Sequence, residues 1–392
     1  MLLKRIRVLD FGRYIAGPVC ASLLADLGAD VIRIDRIGGS EDRYLMPVSE
    51  TGDGALFLHA NRNKRGMTLD PLKPAGQKIL AGLVSTADVV VVNLPDAALS
   101  RLGLDYDSLK VIRPDIILTS ISAFGSHGPY SDRTGFDIIG QAMSGMMHLT
   151  GQPGHPTKSF TPYVDFTTAM SAAFATLAAI MHRQETGEGQ LVGANLLRSG
   201  VYLSQIFNLE QYTTGINREA TGNRGQLGGP ADLCHTRDGA LVIHVLGASL
   251  FKRWTKLVAR EDLLDDPRFQ TDADRALHGE ILSEITCKWA AQYTTEEAIY
   301  LMEQARVPGS PVYRPGEIID DPHVKESGMI SFHNYPGIDD PIPMAEPPFE
   351  LSAIETRIRH RPPLNGENTQ GILEELGYSK SEINELRQQR VI

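Results

Sequence analysis

A parallel sheet covered by helices on both faces, with a smaller α+β domain beside it, is the architecture this 392-residue sequence predicts. Three observations lead there. Between residues 6 and 94, short strands that are apolar throughout alternate with helical stretches, the pattern of a sheet buried on both sides. The composition, 42% hydrophobic and 22% charged, is that of a folded globular chain. The length exceeds what one compact core holds comfortably, so a second, smaller domain is expected.

The elements follow in order. IRVLDF (6–11) reads as a strand, AGPVCASLLADLG (16–28) as a helix closed by Gly28, and ADVIRIDR (29–36) as a second strand. A helix over 72–87 leads into the apolar strand DVVVVNL (88–94), and DIILTSISAFG (115–125) is again strand-like. The turn-rich stretch GQPGHPTKSF is followed by PYVDFTTAM (162–170) and a long apolar helix that ends at RQETGEGQ (183–190). Residues 191–215 give a strand and then a helix. Gly and polar residues cluster at GNRGQLGGP (222–230), a domain boundary. LCHTRDGALVIHVLG (233–247) reads as a two-stranded antiparallel piece turning at RDG, and TTEEAI (294–299) as a helix opened by a capping box. VPGSPVYRPGEIIDDP (307–322) is proline-rich and irregular. The expected division is a large domain over 1–225, a small domain over 226–328, and a segment 329–392 whose helices return to the large domain.

A formal net charge of −10 argues against a protein that lives on a nucleic-acid backbone, though a local arginine cluster still suits a small anionic ligand. Cys20, Cys234 and Cys287 are far apart and form no CxxC pair, which suggests a reducing compartment and supplies no metal ligand set. The first residues turn directly into a strand, and the apolar run around 169–181 is short for a bilayer and ends in His182 and Arg183. A cytoplasmic protein without a membrane span or a tightly bound cofactor is expected.

A strand, a glycine-containing turn, a helix, a second strand and then Asp35 invite a nicotinamide-dinucleotide reading. The glycines speak against it. Gly12 and Gly17 are separated by the bulky RYIA, and no GxGxxG run lies nearby. The scaffold is Rossmann-like without the cofactor signature, and Asp35 is read as a strand-end residue.

Taken together, VLDFGRYIAGPVCASLLADLGADVIRIDR (8–36) and HANRNKRGMTLD (59–70) resemble the family III CoA-transferases. That family includes formyl-CoA transferase and carnitine CoA-transferase. The resemblance continues through LGLDYDSL (102–109), SAFGSHGPYSDRTGFD (122–137), QAMSGMMHLTG (141–151), TGEGQLVGANLL (186–197), DDPRFQTDADR (265–275), VPGSPV (307–312) and GENTQGILEELGYSKSEI (366–383). It implies a Rossmann-like large domain built from both chain ends, a smaller domain, and an interlocked homodimer.

It also implies a covalent transferase in which one aspartate attacks the thioester carbonyl. That aspartate falls on Asp165, and the alternative role for Asp165 is to cap the helix it precedes, with Thr167 and Thr168 as substitute caps. A glycine-rich loop supplies oxyanion donors in the family, and its best local match is Gly228 and Gly229, which read equally well as a flexible domain junction. For CoA, the resemblance points to Arg36 and to the NRNKR cluster, which offers Asn63, Lys64 and Arg65 beside Arg62 along a loop. It also points to Asn93, although this chain has VNLPDA (92–97) where the family commonly has ENFxPG.

The same superfamily contains α-methylacyl-CoA racemases, which pair an aspartate with a histidine in a GHD stretch. Here that stretch is GFD (135–137), and Phe136 cannot accept a proton; His127 lies in a loop nine residues earlier. Transferase chemistry is therefore favoured over racemisation or a non-catalytic CoA-ester-binding role. The partners implied are an acyl-CoA donor and a carboxylic acid acceptor, with Arg13, His148 and His155 as candidate carboxylate contacts and Tyr14 as a candidate wall of the acyl pocket.

Overall fold

The computed structural model describes Met1–Ile392 and contains two compact units. The first comprises Met1–Ser144, Phe160–Asn208 and His323–Ile392; the second comprises Gly145–Ser159 and Leu209–Pro322. The chain's end thus belongs to the same unit as its beginning.

The first unit is built on a six-stranded parallel sheet. Its strands are β1 (Arg7–Asp10), β2 (Asp30–Asp35), β3 (Lys64–Thr68), β4 (Val89–Val92), β5 (Ile117–Ser122) and β6 (Leu191–Asn195), in the order β3-β2-β1-β4-β5-β6. Because side chains alternate along a strand, each face collects its own set. Val8, Val31, Val89, Val91 and Ile117 face helix α1 (Ala16–Asp26) and a long helix described below. Leu9, Ile32, Ile34, Val90, Val92 and Leu118 face α2 (Pro74–Thr86) and the C-terminal helices Thr369–Glu375 and Lys380–Gln388. Both faces being covered, the strands are apolar throughout, as the sequence suggests. Helix α1 stops where Gly28 takes a left-handed φ of 99°.

Three further helices matter for the site: α3 (Asp137–Met143), α4 (Tyr163–Thr186) and α5 (Leu196–Thr214). Although α4 is long and apolar enough to cross a membrane, it packs on α1 and β5 through Ala169, Ala172, Ala173 and Ile180. The Thr119 and Thr176 hydroxyls are hydrogen-bonded at 2.7 Å between β5 and α4.

An internal network of charges underlies the loop after β1. Arg33, fully buried, pairs with Asp35 and Asp42, each at 2.9 Å. Arg43 pairs with Asp35 at 3.0 Å and Asp53 at 2.9 Å. Lys64 donates to Asp10 and to the Pro18 carbonyl at 2.7 Å, to Asn61 Oδ1 at 2.9 Å and to the Ala60 carbonyl at 3.0 Å. Buried charges of this kind persist only when each has its partner.

The second unit carries a small antiparallel sheet of β7 (Ala231–His235), β8 (Ala240–His244) and β9 (Gly309–Pro311), with β8 central. The expected hairpin is present, closed by Thr236 N–H to the Gly239 carbonyl at 3.0 Å. Strand β9 comes from the stretch read as irregular. It sits at a sheet edge, where proline is tolerated. Phe251, Trp254, Phe269 and Trp289 fill this unit's core. The capping box at Thr294 and Glu297 opens helix Thr295–Ala305 as expected. Cys234 and Cys287 form a disulfide, whereas the sequence spacing suggested thiols in a reducing compartment. Strand β7 lies against helix Gly279–Ala290, which joins two cysteines that are 53 residues apart in the chain.

Candidate active site

In an open parallel sheet, ligands bind beyond the carboxyl ends of the strands where the strand order reverses. Here that reversal falls at β1 and β4, whose outer neighbours are β2 and β5. A cleft of about 1280 Å³ opens there. It is lined by Arg13 and Tyr14 after β1, Arg36 after β2, Asn93 after β4, Phe124 and Gly125 after β5, and Asn195 at the end of β6. Asp165 and Phe136 complete the wall.

The loop after β1 is held from below and from the side. Gly17 is there because α1 starts tightly against this loop: a Cβ would lie 2.9 Å from Gly12 Cα. Asn93 clamps Arg13 reciprocally, accepting from its N–H at 2.7 Å and donating to its carbonyl at 2.8 Å. Asp42 Oδ2 accepts from Tyr14 N–H at 3.2 Å. These contacts hold Tyr14 at a φ of 61°, a left-handed conformation rare for an aromatic residue and typical of functional loops. Its ring meets Phe136 edge-on, with centroids 5.6 Å apart. Arg13 is fixed by its own Nη1, which donates to the carbonyls of Phe11, Gly12 and Ile34. Burial, and then the charge of Arg33, push its guanidinium down to about 10.

Asp165 is in the first turn of α4 and half-buried. Its carboxylate does not cap its own helix. Asp137 does so from α3: its Oδ1 accepts from Val164 N–H at 2.8 Å and from Asp165 N–H at 3.0 Å. The expected substitute caps behave otherwise. Thr167 and Thr168 donate to the Tyr163 and Val164 carbonyls, each at 2.7 Å, one turn back. Burial, and next the nearby Asp137 carboxylate, push the Asp165 carboxyl up from 3.8 to about 7. A carboxylate that lines a cleft, is free of structural duty and titrates near neutrality is a fit nucleophile or base.

The sequence-derived CoA residues divide sharply. Arg36 projects at the cleft rim with 66% of its side chain exposed, paired with Glu41. Asn93 lines the cleft but spends its amide on the Arg13 backbone. Asn63, Lys64 and Arg65 were expected on a loop and face elsewhere, because Lys64 and Arg65 begin β3 and so point to opposite sides of it. Lys64 is enclosed and committed to Asp10 and its neighbours. Arg65 is paired with Asp30 at 2.7 Å and Glu375 at 2.6 Å. Asn63 accepts from Arg359 N–H and His360 N–H and donates to Asp26 and the Arg357 carbonyl, fastening the C-terminal segment.

Gly228 and Gly229 belong to the second unit, as do His148, which stands 3.3 Å from Glu219, and His155. Both glycines are buried, and neither amide donates to an acceptor within the chain. His127 lines the cleft, while Phe136 presents a ring, 63% exposed, where a proton-accepting histidine would be needed for racemisation. Asp137 escaped the sequence reading. Its only signal was the last letter of GFD, whose phenylalanine drew the attention.

Fold and site together define an α/β protein with a carboxylate-bearing ligand cleft at the switch point of its sheet. Residues 3–369 match the model of CoA-transferase family III, and the chain belongs to that family. It is 34% identical to the succinate–glutarate CoA-transferase of Agrobacterium fabrum, over 95% of both chains. It is 32% identical to the succinyl-CoA–D-citramalate CoA-transferase of Chloroflexus aurantiacus, over 100% of this chain and 98% of that one. A crystal structure of a CAIB/BAIF family protein from Brucella suis superposes with a TM-score of 0.84 at 29% identity, covering 95% of this chain and 98% of that one. The protein is a CoA-transferase, an enzyme that uses CoA thioesters.

Proposed function

We propose that the enzyme moves CoA from an acyl-CoA to a free carboxylic acid through covalent intermediates on Asp165. The observation that carries this reading is the freedom of that carboxylate: it lines the cleft while Asp137 caps the start of the helix. Attack by an Asp165 oxygen on the thioester carbonyl breaks the C–S bond, forms a mixed anhydride and releases CoA thiolate. The thiolate then attacks the aspartyl carbonyl, which frees the first acid as carboxylate and leaves CoA bound to Asp165 as a thioester. The incoming carboxylate attacks that thioester, and the two steps run in reverse to give the new acyl-CoA and restore Asp165. Donor and acceptor bonds are alike in energy, so no ATP is required. Holding the carboxylate against the carbonyl makes the attack effectively intramolecular.

Arg36 is proposed as a contact for the CoA nucleotide, since it is exposed at the rim and its Glu41 partner is a replaceable surface ion pair. The relatives named above support succinyl-CoA as donor and a dicarboxylic acid as acceptor. A homodimer is proposed on the apolar surface of α5, where Tyr202 is 81%, Ile206 62% and Tyr212 88% exposed in the single chain.

A donor–acceptor panel tests this reading, with CoA exchange followed chromatographically for succinyl-CoA against dicarboxylic and monocarboxylic acids. Transfer to at least one dicarboxylic acid, abolished in Asp165→Ala, is expected. Undiminished transfer in that variant overturns the assignment of Asp165.

A further inference from the structure

Helix α4 begins without a cap of its own. Pro162 precedes it, and no side chain from within the turn reaches its leading amides. Those amides are met from outside by Asp137, which lies 27 residues before Val164 in sequence. We propose that Asp137 is a positioning residue for Asp165: it holds the backbone of the nucleophile, caps the helix that carries it, and sets its negative charge beside the reacting carboxylate. This inference rests on the reading of Asp165 as nucleophile.

The geometry is specific. One oxygen, Asp137 Oδ1, accepts both N–H groups, including that of Asp165 itself at 3.0 Å. The other, Oδ2, accepts from Gln141 Nε2 at 2.5 Å, one turn further along α3. Asp137 is 8% exposed and Gln141 2%, so the pair forms a fixed mount. Asp165 is the third residue of α4, and a first-turn acid can turn its carboxylate back toward the free amides at the helix start. With those amides already taken, Asp165 gains nothing by turning inward, and its carboxylate is left to the cleft.

The surrounding groups single out Asp137 as the charge acting on Asp165. Burial and the Asp137 charge are the two causes of its raised titration, in that order. Tyr163 on the same turn has its phenol pushed up by burial and then by Asp137, so it too senses this charge. Helix α1 brings Cys20 and Asp26, but their charged neighbours are Asp10 and Lys64 for the first and Arg62 and Arg359 for the second. Strands β5 and β6, also packed on α4, carry no titratable side chain. Arg13, His127 and Arg198 share the cleft, and the His59 ring meets Phe166 beside Asp165 at 5.7 Å, none of them contributing to the shift.

The consequence is a division between two variants. Asp137→Asn keeps an oxygen to accept the amides and removes the charge; Asp137→Ala removes both. The titration midpoint of Asp165 is read by carbon-13 NMR on protein labelled at aspartate, assigned by the signal lost in Asp165→Asn. In parallel, single-turnover formation of the Asp165–CoA adduct from succinyl-CoA is followed by mass spectrometry across pH. The wild type is expected to titrate at about 7. In Asp137→Asn the midpoint and the acid limb of adduct formation should both fall by about one unit or more, with the adduct still formed. In Asp137→Ala adduct formation should slow by about tenfold or more while circular dichroism stays native.

An unmoved midpoint in Asp137→Asn, or a parental adduct rate in Asp137→Ala, overturns the positioning role while the wild-type adduct upholds Asp165. A wild type that forms no adduct on Asp165, whatever its midpoint, overturns the nucleophile itself and the proposal with it.

Discussion

Replacing Asp165 by Asn should make the enzyme inactive and more stable, but only at pH values where the carboxylate is ionised. The folded state raises this carboxyl from 3.8 to about 7, chiefly through burial and next through Asp137. A raised carboxyl favours folding while protonated, and that advantage is lost as pH rises through the folded value. The cost of ionisation is therefore absent below about pH 4, grows between about 4 and 7, and is complete above that. Three units at about 1.4 kcal/mol each set an upper bound of about 4 kcal/mol. Because the group is half-buried at a wet cleft, relaxation and solvent bring the expected gain to about 1–2 kcal/mol. Unfolding entropy of about 2.1 cal/mol/K per residue converts this to a melting-temperature increase of about 1–3 °C for a chain of this length. The assay is differential scanning calorimetry of Asp165→Asn and wild type from pH 4 to 8.5. A difference that opens between pH 4 and 7 bears out the reasoning. A difference independent of pH, or a variant less stable at pH 8, refutes it, because the carboxylate would then be stabilised by contacts of its own.

Other outcomes follow from the same geometry. Transfer activity at saturating substrate should fall below about pH 7 as Asp165 takes up a proton, and a pH–rate profile with its acid limb near the ordinary carboxylate range would contradict this. Arg36→Ala should raise KM for the acyl-CoA by about tenfold with unfolding midpoints unchanged, since the side chain is largely exposed and makes one surface ion pair. Lys64→Ala should do the reverse: it strands the buried Asp10 carboxylate and should cost about 3–5 kcal/mol in urea unfolding. Under denaturing conditions without reductant, thiol titration should find one reactive thiol, that of Cys20, and three after reduction.

The fold was legible because the large-domain strands are buried on both faces and so are continuous apolar runs. VVVV in β4 is the clearest of them. Strand β3 was not legible. KRGMT opens with two cations, and only the Asp10 carboxylate, the Asn61 amide oxygen and the Pro18 and Ala60 carbonyls waiting inside explain why Lys64 points inward. That one hidden strand accounts for the difference at Asn63, Lys64 and Arg65. A charge cluster in sequence does not reveal whether its partners are phosphates or buried aspartates. Asp165 could be named because a helix-start acid matched a family position, but its freedom could not, since the cap comes from a single residue, Asp137, 28 positions earlier in the chain. The disulfide was hidden for the same reason, its cysteines meeting only once β7 lies on its helix.

The central claim is that Asp165 becomes covalently bonded during turnover. Incubating the enzyme with succinyl-CoA, adding hydroxylamine and mapping the peptides by mass spectrometry tests it most directly. A hydroxamate on Asp165, absent without donor and absent in Asp165→Asn, is the predicted result. An enzyme that exchanges CoA among carboxylic acids while Asp165 remains unmodified contradicts the account.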